Sequence, residues 1–349
     1  MAVKKKIGLT LAGGGIKGAY QIGVYKAMLK AGIKISGVTG TSIGSFNAAL
    51  IAQDDFDKLE FFWENDDLGK LLNFMSDLSY ENENLLDDFK EFSVPLLSIM
   101  KNKGLPVDGL RNRIVQIVDD KKIRESDIDY GLVTYRVKDK KPLFLFKDDI
   151  PEGKITDYIT ASCYLPVFKL EKLDGDSYYL DGGFCDNTPY KMLADKGYDK
   201  VYVIELGSIG LTPKSKSKCE IIRIKPSRNL GGILNTNSYQ IKKNIKIGYY
   251  DGLKIFKKLD GKKYVFSKKK DWYYRFLIRK VPKHILNRVE VFFFTNDEKE
   301  LIINAIEYVL KKENKTYFNV YKQGREIRRI KKIDSDMIVY KFIKYLKLF

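Results

Sequence analysis

Over residues 7–12 the apolar positions Ile7, Leu9 and Leu11 alternate with small or polar ones, a period of two that predicts a β-strand. Gly13, Gly14 and Gly15 end it. From residue 16 to 31 the apolar positions Ile22, Tyr25, Met28 and Leu29 recur at helical spacing until Gly32 stops the helix. Residues 33–38 predict a second short strand, closed by Gly40-Thr41-Ser42-Ile43-Gly44, after which Phe46, Ala49 and Leu50 resume the helical period. The order strand, helix, strand, helix predicts an α/β fold with a mainly parallel sheet flanked by helices. Residues 54–127 read as mainly helical, with Phe61, Phe62, Trp63 and Leu71, Leu72, Phe74 set among acids. Strand patterns return at 132–137, 143–146, 177–180, 201–206 and 221–224, with a helix over 191–196 between two of them. Beyond Pro226 the chain becomes lysine-rich, with helices predicted over 239–259, 298–312 and 335–348, and only 211–217 has linker character.

The chain has 349 residues, 44% apolar and 31% charged, which excludes a disulfide-stapled miniprotein and a disordered chain. Cys163, Cys185 and Cys219 lack the spacing of a zinc or redox pair and read as reduced thiols. A single histidine, His284, excludes a His-ligated metal site and any two-histidine mechanism. The net charge of +18 is unevenly spread: residues 1–210 carry −4 and residues 211–349 carry +22. Composition therefore divides the chain at 210/211 into a first domain and a basic C-terminal region, expected to pack on it. Such asymmetry fits an anionic partner for the basic region, or lysines that only solvate helices. Residues 54–91 add an acidic patch. Lys4, Lys5 and Lys6 precede a Gly-rich stretch broken by Lys17, not a signal peptide, and no run reaches the about 18 apolar residues of a spanning helix. The expected location is cytoplasmic, with peripheral membrane contact as the alternative.

Four segments carry candidate chemistry. Gly13-Gly14-Gly15-Ile16-Lys17-Gly18 lies between a predicted strand and helix, as a dinucleotide fingerprint would. That assignment needs an acid near the end of the second strand, and the first acid after Gly18 is Asp54. A phosphate-binding loop fails because Ala19 follows Gly18. What remains is a loop whose backbone amides face a negative charge, as an oxyanion hole does. Gly40-Thr41-Ser42-Ile43-Gly44 is a GxSxG between strand and helix, the pattern of a nucleophile elbow; Ser42 is also placed to act as a helix N-cap. His284 has no neighbouring orienter and reads as structural, which disfavours a Ser-His-Asp triad. Asp181, at the end of a predicted strand and followed by Gly182 and Gly183, supplies a carboxylate base instead, though Asp-Gly-Gly alone is also a common turn.

Taken together and in this order, Gly13 to Gly18, Gly40 to Gly44 and Asp181 to Gly183 resemble the GGGx(K/R)G, GxSxG and DGG signatures of patatin-like phospholipases. Ala161-Ser162-Cys163-Tyr164-Leu165-Pro166-Val167-Phe168 is similar to the family's ASxxxPxxF block, and Asp186-Asn187-Thr188-Pro189 to its polar continuation. The likeness covers residues 7–207, and more loosely extends to bacterial members around Gly248-Tyr249-Tyr250-Asp251-Gly252. It implies a three-layer patatin-like fold and a lipid acyl hydrolase of the phospholipase A or lysophospholipase type. In that scheme Ser42 is the nucleophile, Asp181 the base, and the amides of Gly13, Gly14 and Gly15 the oxyanion donors. Lys17, Gly18, Gly40, Gly44, Gly182 and Gly183 support them. Lys17 stands where many relatives have arginine, and Ser45 and Cys185 where small or apolar residues are common. No metal or organic cofactor is implied, and no nucleic-acid module is visible in the basic region. The implied partners are an acyl-lipid substrate and an anionic membrane surface. The rivals are a catalytically idle anion- or membrane-binding protein and a soluble esterase of small esters. The acidic stretch with Phe61, Phe62 and Trp63 reads either as a lid over the site or as a core-facing helix, and the last helix either as a membrane-interface element or as a packed one.

Overall fold

A computed structural model describes residues 5–65, 107–165, 168, 171–173, 175, 177–208, 211, 218–233 and 237–348. The chain forms two compact units, Met1–Tyr249 and Tyr250–Phe349. The expectations for Leu71, Leu72, Phe74 and most of the acidic patch, for Pro166 and Val167, and for most of the linker at 211–217 lie outside the described residues.

The first unit is built on strands β1 (Ile7–Leu11), β2 (Gly37–Thr41), β3 (Asp129–Arg136), β4 (Lys141–Phe146), β5 (Tyr179–Asp181), β6 (Lys200–Ile204) and β7 (Glu220–Ile224). They form one sheet in the order β4-β3-β2-β1-β6-β7, with β5 also paired to β3. Strands β1, β2, β3, β6 and β7 are parallel, and β4 and β5 run antiparallel to β3. Helices α1 (Ala19–Lys30), α2 (Ile43–Ala52), α3 (Phe56–Glu64), α4 (Asp108–Ile117), α5 (Asp120–Glu125), α6 (Ile155–Ser162), α7 (Tyr190–Asp195) and the part of α8 (Ser238–Phe256) up to Tyr249 surround it. Side-chain alternation assigns the two faces. Thr39 and Thr41 turn toward the α7 side, where their hydroxyls donate to the carbonyls of Pro189 and Asp186, while Tyr130 reaches the Ser45 carbonyl at the start of α2. All ten residues of α2 are buried.

The second strand begins four residues later than its apolar pattern predicts, at Gly37 rather than residue 33. At its first position a Cβ on Gly37 would lie 2.1 Å from the Tyr198 hydroxyl, so that place admits only glycine. The packing boundary also differs from the charge boundary. Strand β7 completes the sheet, and α8 crosses α1 where Gly23 and Gly248 let the backbones touch, a Cβ on Gly248 falling 2.0 Å from the Tyr20 carbonyl. Residues 211–249 thus belong to the first unit although their charge belongs with the tail.

The second unit contains β8 (Val265–Phe266), β9 (Val320–Tyr321) and helices α9 (Asp271–Ile278), α10 (Lys283–Phe293), α11 (Glu298–Lys312), α12 (Gln323–Ile330) and α13 (Ile338–Tyr345). Its core joins Leu301, Ile302, Ile306 and Val309 of α11 to Val339, Phe342 and Ile343 of α13. The apolar face of the last helix is therefore spent inside this unit, which favours the packed one of its two readings. Buried Glu307 accepts the amides of Lys262, Lys263 and Tyr264 at 2.8–3.0 Å on one carboxylate oxygen. His284 is exposed on α10. No described helix is long and apolar enough to cross a membrane.

Candidate active site

Ser42 follows the last residue of β2 with φ 55° and ψ −131°, a conformation that side chains other than glycine rarely adopt. Its neighbours explain how the turn closes. A Cβ on Gly40 would lie 2.2 Å from the Gly44 carbonyl, and one on Gly44 would lie 2.3 Å from the Leu11 carbonyl. Ser42 occupies the N-cap position of α2, yet its hydroxyl makes no capping hydrogen bond, which leaves the side chain for another task. The Ser45 hydroxyl donates to the Ser42 carbonyl at 2.6 Å and fixes the first turn. The positive end of the α2 dipole lies at Ser42, where it favours negative charge.

Asp181 reaches Ser42 by a route that differs from the one expected. In a parallel sheet the carboxyl ends of the strands share one edge, but β5 is antiparallel to β3. Strand β4 covers one side of β3, so β2 and β5 share the other, approaching each other end to end. Thr41 pairs with Val133 and Asp181 with Thr134, adjacent residues of one strand. Ser42 and Asp181 meet because two strands of opposite direction end at the same place on a third.

Asp181 is 4% exposed. Its Oδ1 accepts the Gly183 amide at 2.7 Å, while Oδ2 is buried with no hydrogen-bond partner among the described residues. The Ser42 hydroxyl lies near enough to favour the charged carboxylate without forming a bond of normal length and angle to it. Catalytic pairs often keep such looseness until substrate tightens them. Burial dominates and pushes the carboxyl up to about 6, against the pull of Ser42 and the Gly183 amide. Burial likewise raises Cys163, whose thiol sits beside Ser42 and Ser45, so it stays protonated and unreactive. Gly182 has no room for a side chain, its place for a Cβ lying 2.2 Å from the Val133 carbonyl.

The glycine loop adjoins this pair: a Cβ on Gly13 would lie 3.2 Å from the Ser42 Cβ. Its three amides are not equivalent. The Gly13 amide donates to the Asn187 carbonyl at 3.2 Å and is already engaged, whereas no carbonyl among the described residues accepts from Gly14 or Gly15. The two partly exposed glycines lead into a short 3-10 turn, Gly15–Gly18, and then α1. Gly18 packs on Ile43, and Lys17 is half-buried, with burial pushing its ammonium downward and no carboxylate paired to it among the described residues. Asn187, to which the sequence assigns no role, binds this loop to the segment after Asp181; its block was visible only as a resemblance.

Two hollows lie near these elements. Ile43, Phe46, Phe62, Ile114, Cys163 and the Arg113 side chain bound a small crevice of about 10 Å³ beside the residue after Ser42, with room for about one water. Phe62 and Trp63 are buried, the latter donating to the Asn47 side chain at 2.9 Å, so this part of the acidic stretch faces the core. A hollow of about 560 Å³ lined by Phe144, Phe146, Asp186 and Met192 is larger but includes neither Ser42 nor Asp181. Size does not select the site here; the reactive groups do.

The profile of the family described as patatin-like phospholipase matches residues 9–194, more than half of the chain. Lysophospholipase nte1 of Aspergillus terreus is 29% identical over 210 residues, and that of Aspergillus oryzae 30% over 210 residues. Each match takes in 59% of this chain and 12% of the relative, so the chain spans about an eighth of those proteins. Among solved structures, VipD from Legionella pneumophila aligns with a TM-score of 0.43 at 14% identity, covering 97% of this chain and 83% of VipD. The type III effector ExoU aligns with a TM-score of 0.39 at 14% identity, covering 97% and 71%.

Proposed function

The chain belongs to the patatin-like phospholipase family, and from that premise we propose that it is a lipid acyl hydrolase working through a Ser42–Asp181 dyad. The observation that carries this reading is the strained Ser42 set beside a buried carboxylate oxygen of Asp181 that has no hydrogen-bond partner among the described residues. Ser42 Oγ attacks the ester carbonyl carbon while its proton passes to Asp181 Oδ2. The amides of Gly14 and Gly15, with the N-terminus of α2, hold the tetrahedral oxyanion; Gly13 supports the loop instead of donating to it. Collapse expels the alcohol, which takes the proton from Asp181. Water then attacks the acyl-serine, Asp181 accepts its proton, and the fatty acid leaves as Ser42 is reprotonated. No step calls for a metal or an organic cofactor. Losing one oxyanion donor costs roughly 3 kcal/mol of transition-state stabilisation, so the loop matters nearly as much as the dyad.

The substrate class we infer is an acyl lipid, in line with the lysophospholipase names of the nte1 relatives. The chemistry is assigned to residues 1–210, with 211–249 completing their packing. The basic region is assigned a contact with anionic membrane, supported by its +22 charge and by Val291 and Phe294, which are 72% and 94% exposed. The test offers p-nitrophenyl esters and phospholipid vesicles to the purified protein and to Ser42→Ala. Ser42-dependent fatty-acid release from vesicles is the expected result. Cleavage of small esters alone would leave a soluble esterase, and silence on both would leave a binding protein.

A further inference from the structure

The end-to-end meeting of β2 and β5 leaves backbone groups at the seam that no strand can pair. Ser42 turns its N–H out of the ladder, and the Val133 carbonyl faces the gap between the two strand ends. One side chain answers both. The hydroxyl of Ser162, fully buried at the last position of α6, accepts the Ser42 amide at 2.9 Å and donates to the Val133 carbonyl at 2.6 Å. Two residues on, the Tyr164 carbonyl accepts the Asp181 amide at 2.9 Å. The same short segment therefore holds the backbone of the nucleophile with one residue and that of the carboxylate with another, and buries the Cys163 thiol between them.

We propose that Ser162-Cys163-Tyr164 is a splint that fixes the spacing of the dyad, with the Ser162 hydroxyl as its positioning group. This rests on the reading that Ser42 and Asp181 carry the chemistry. A hydroxyl suits the place because one atom both donates and accepts, which neither a methyl nor a methylene does. Removing it buries two unpaired backbone groups and frees a turn that persists only while its surroundings over-determine it. Helix α6 is itself well anchored: Asp157 pairs with Arg111 at 2.7 Å and Tyr158 packs edge-on to Tyr179 of β5.

The experiment compares Ser162→Ala, Ser162→Thr and Ser162→Val in the full chain. It reads turnover of p-nitrophenyl butyrate, the rate at which a fluorophosphonate labels Ser42, and thermal melting. In Ser162→Ala kcat and labelling should fall together by about 10- to 100-fold, the cost of a misplaced reacting group, with KM unchanged. Ser162→Thr, which keeps the hydroxyl, should recover most of the rate; Ser162→Val, of the same shape without it, should not. A folded Ala or Val variant with wild-type kcat and labelling would overturn the proposal, as would Thr performing no better than Val. If Ser162→Ala does not fold, the matched Thr and Val variants decide. Wild-type protein that is labelled at Ser42 but turns over no ester would refute the hydrolase reading, while the labelling rates still judge the splint.

Discussion

Asn187 and Gly13 are fastened to one another in both directions: the Gly13 amide donates to the Asn187 carbonyl at 3.2 Å, and Asn187 Nδ2 donates back to the Gly13 carbonyl at 3.4 Å. The remaining side-chain atom, Oδ1, lies 2.5 Å from where a Cβ on residue 13 would stand. The glycine loop and the segment following Asp181 thus move as one piece, and there is no room at residue 13 for a side chain.

Gly13→Ala should cost about 1–3 kcal/mol of stability through overpacking. It should also lower ester turnover by about 100-fold by shifting the loop against Ser42. Urea denaturation and initial rates on the same preparation check both; near-normal turnover would mean that the loop does not set the oxyanion geometry.

The carboxyl of Asp181 titrates at about 6 against an ordinary 3.8. Between those pH values the unfolded chain has released the proton and the folded chain keeps it, so stability falls as pH rises and the whole cost stands above pH 6. Converted, that is on the order of 3 kcal/mol. Asp181→Asn should therefore melt above wild type at pH 8, with the gap closing toward pH 4. Hydrolysis, which needs the carboxylate, should decline in wild type as pH drops below about 6. Asp186, raised to about 6 by burial as well, is present in both proteins, so their difference isolates Asp181. A gap independent of pH would contradict the raised carboxyl.

Ser42→Ala and Ser42→Gly should both abolish turnover, but they should differ in stability. Alanine inherits the strained φ of 55°, whereas glycine adopts it freely, and such strain is worth about 1–3 kcal/mol. Melting curves in which the alanine variant is the more stable would show that the elbow stores no strain. His284→Ala, at an exposed position outside this turn, should retain the wild-type rate.

For the proposed membrane contact the sharpest probe is Phe294, which follows α10 in a left-handed conformation and is 94% exposed. Phe294→Asp should weaken sedimentation with phosphatidylserine-containing vesicles by about tenfold, the worth of one buried aromatic side chain, and added salt should weaken it further. Unchanged binding would move the contact elsewhere or remove it.

The candidate side chains were legible in the sequence as a set: GxSxG and Asp-Gly-Gly, taken together and in order, single out Ser42 and Asp181 whatever the pairing around them. The direction of β5 was not. A strand of three residues, Tyr179–Asp181, has too few positions for a pattern to reveal its orientation, and only the register with Thr134 does so. The end of β2 was hidden as well, because Thr39-Gly40-Thr41, its last three residues, read as the start of the turn that Gly40 and Gly44 form. In the basic tail α12 escaped notice since its buried face includes Gln323 and Glu326 beside Ile327 and Ile330, a stripe half polar. Ser162 stood in a recognisable block, but nothing in a linear string says that its hydroxyl spans a seam.

Ser42 and Asp181 owe their places less to each other than to β3. Along the chain they are far apart, and through the sheet they are separated by a single residue step. Between them in sequence, the pair is kept in register by β3, β4, the first turn of α2 and Ser162-Cys163-Tyr164, and a described segment outside these pieces, such as the turn from β3 to β4, is free of that duty. Segments there can be lengthened, exchanged or given new specificity by descent or by engineering while the same two residues continue to meet, which makes the scaffold a forgiving one for acquiring new substrates.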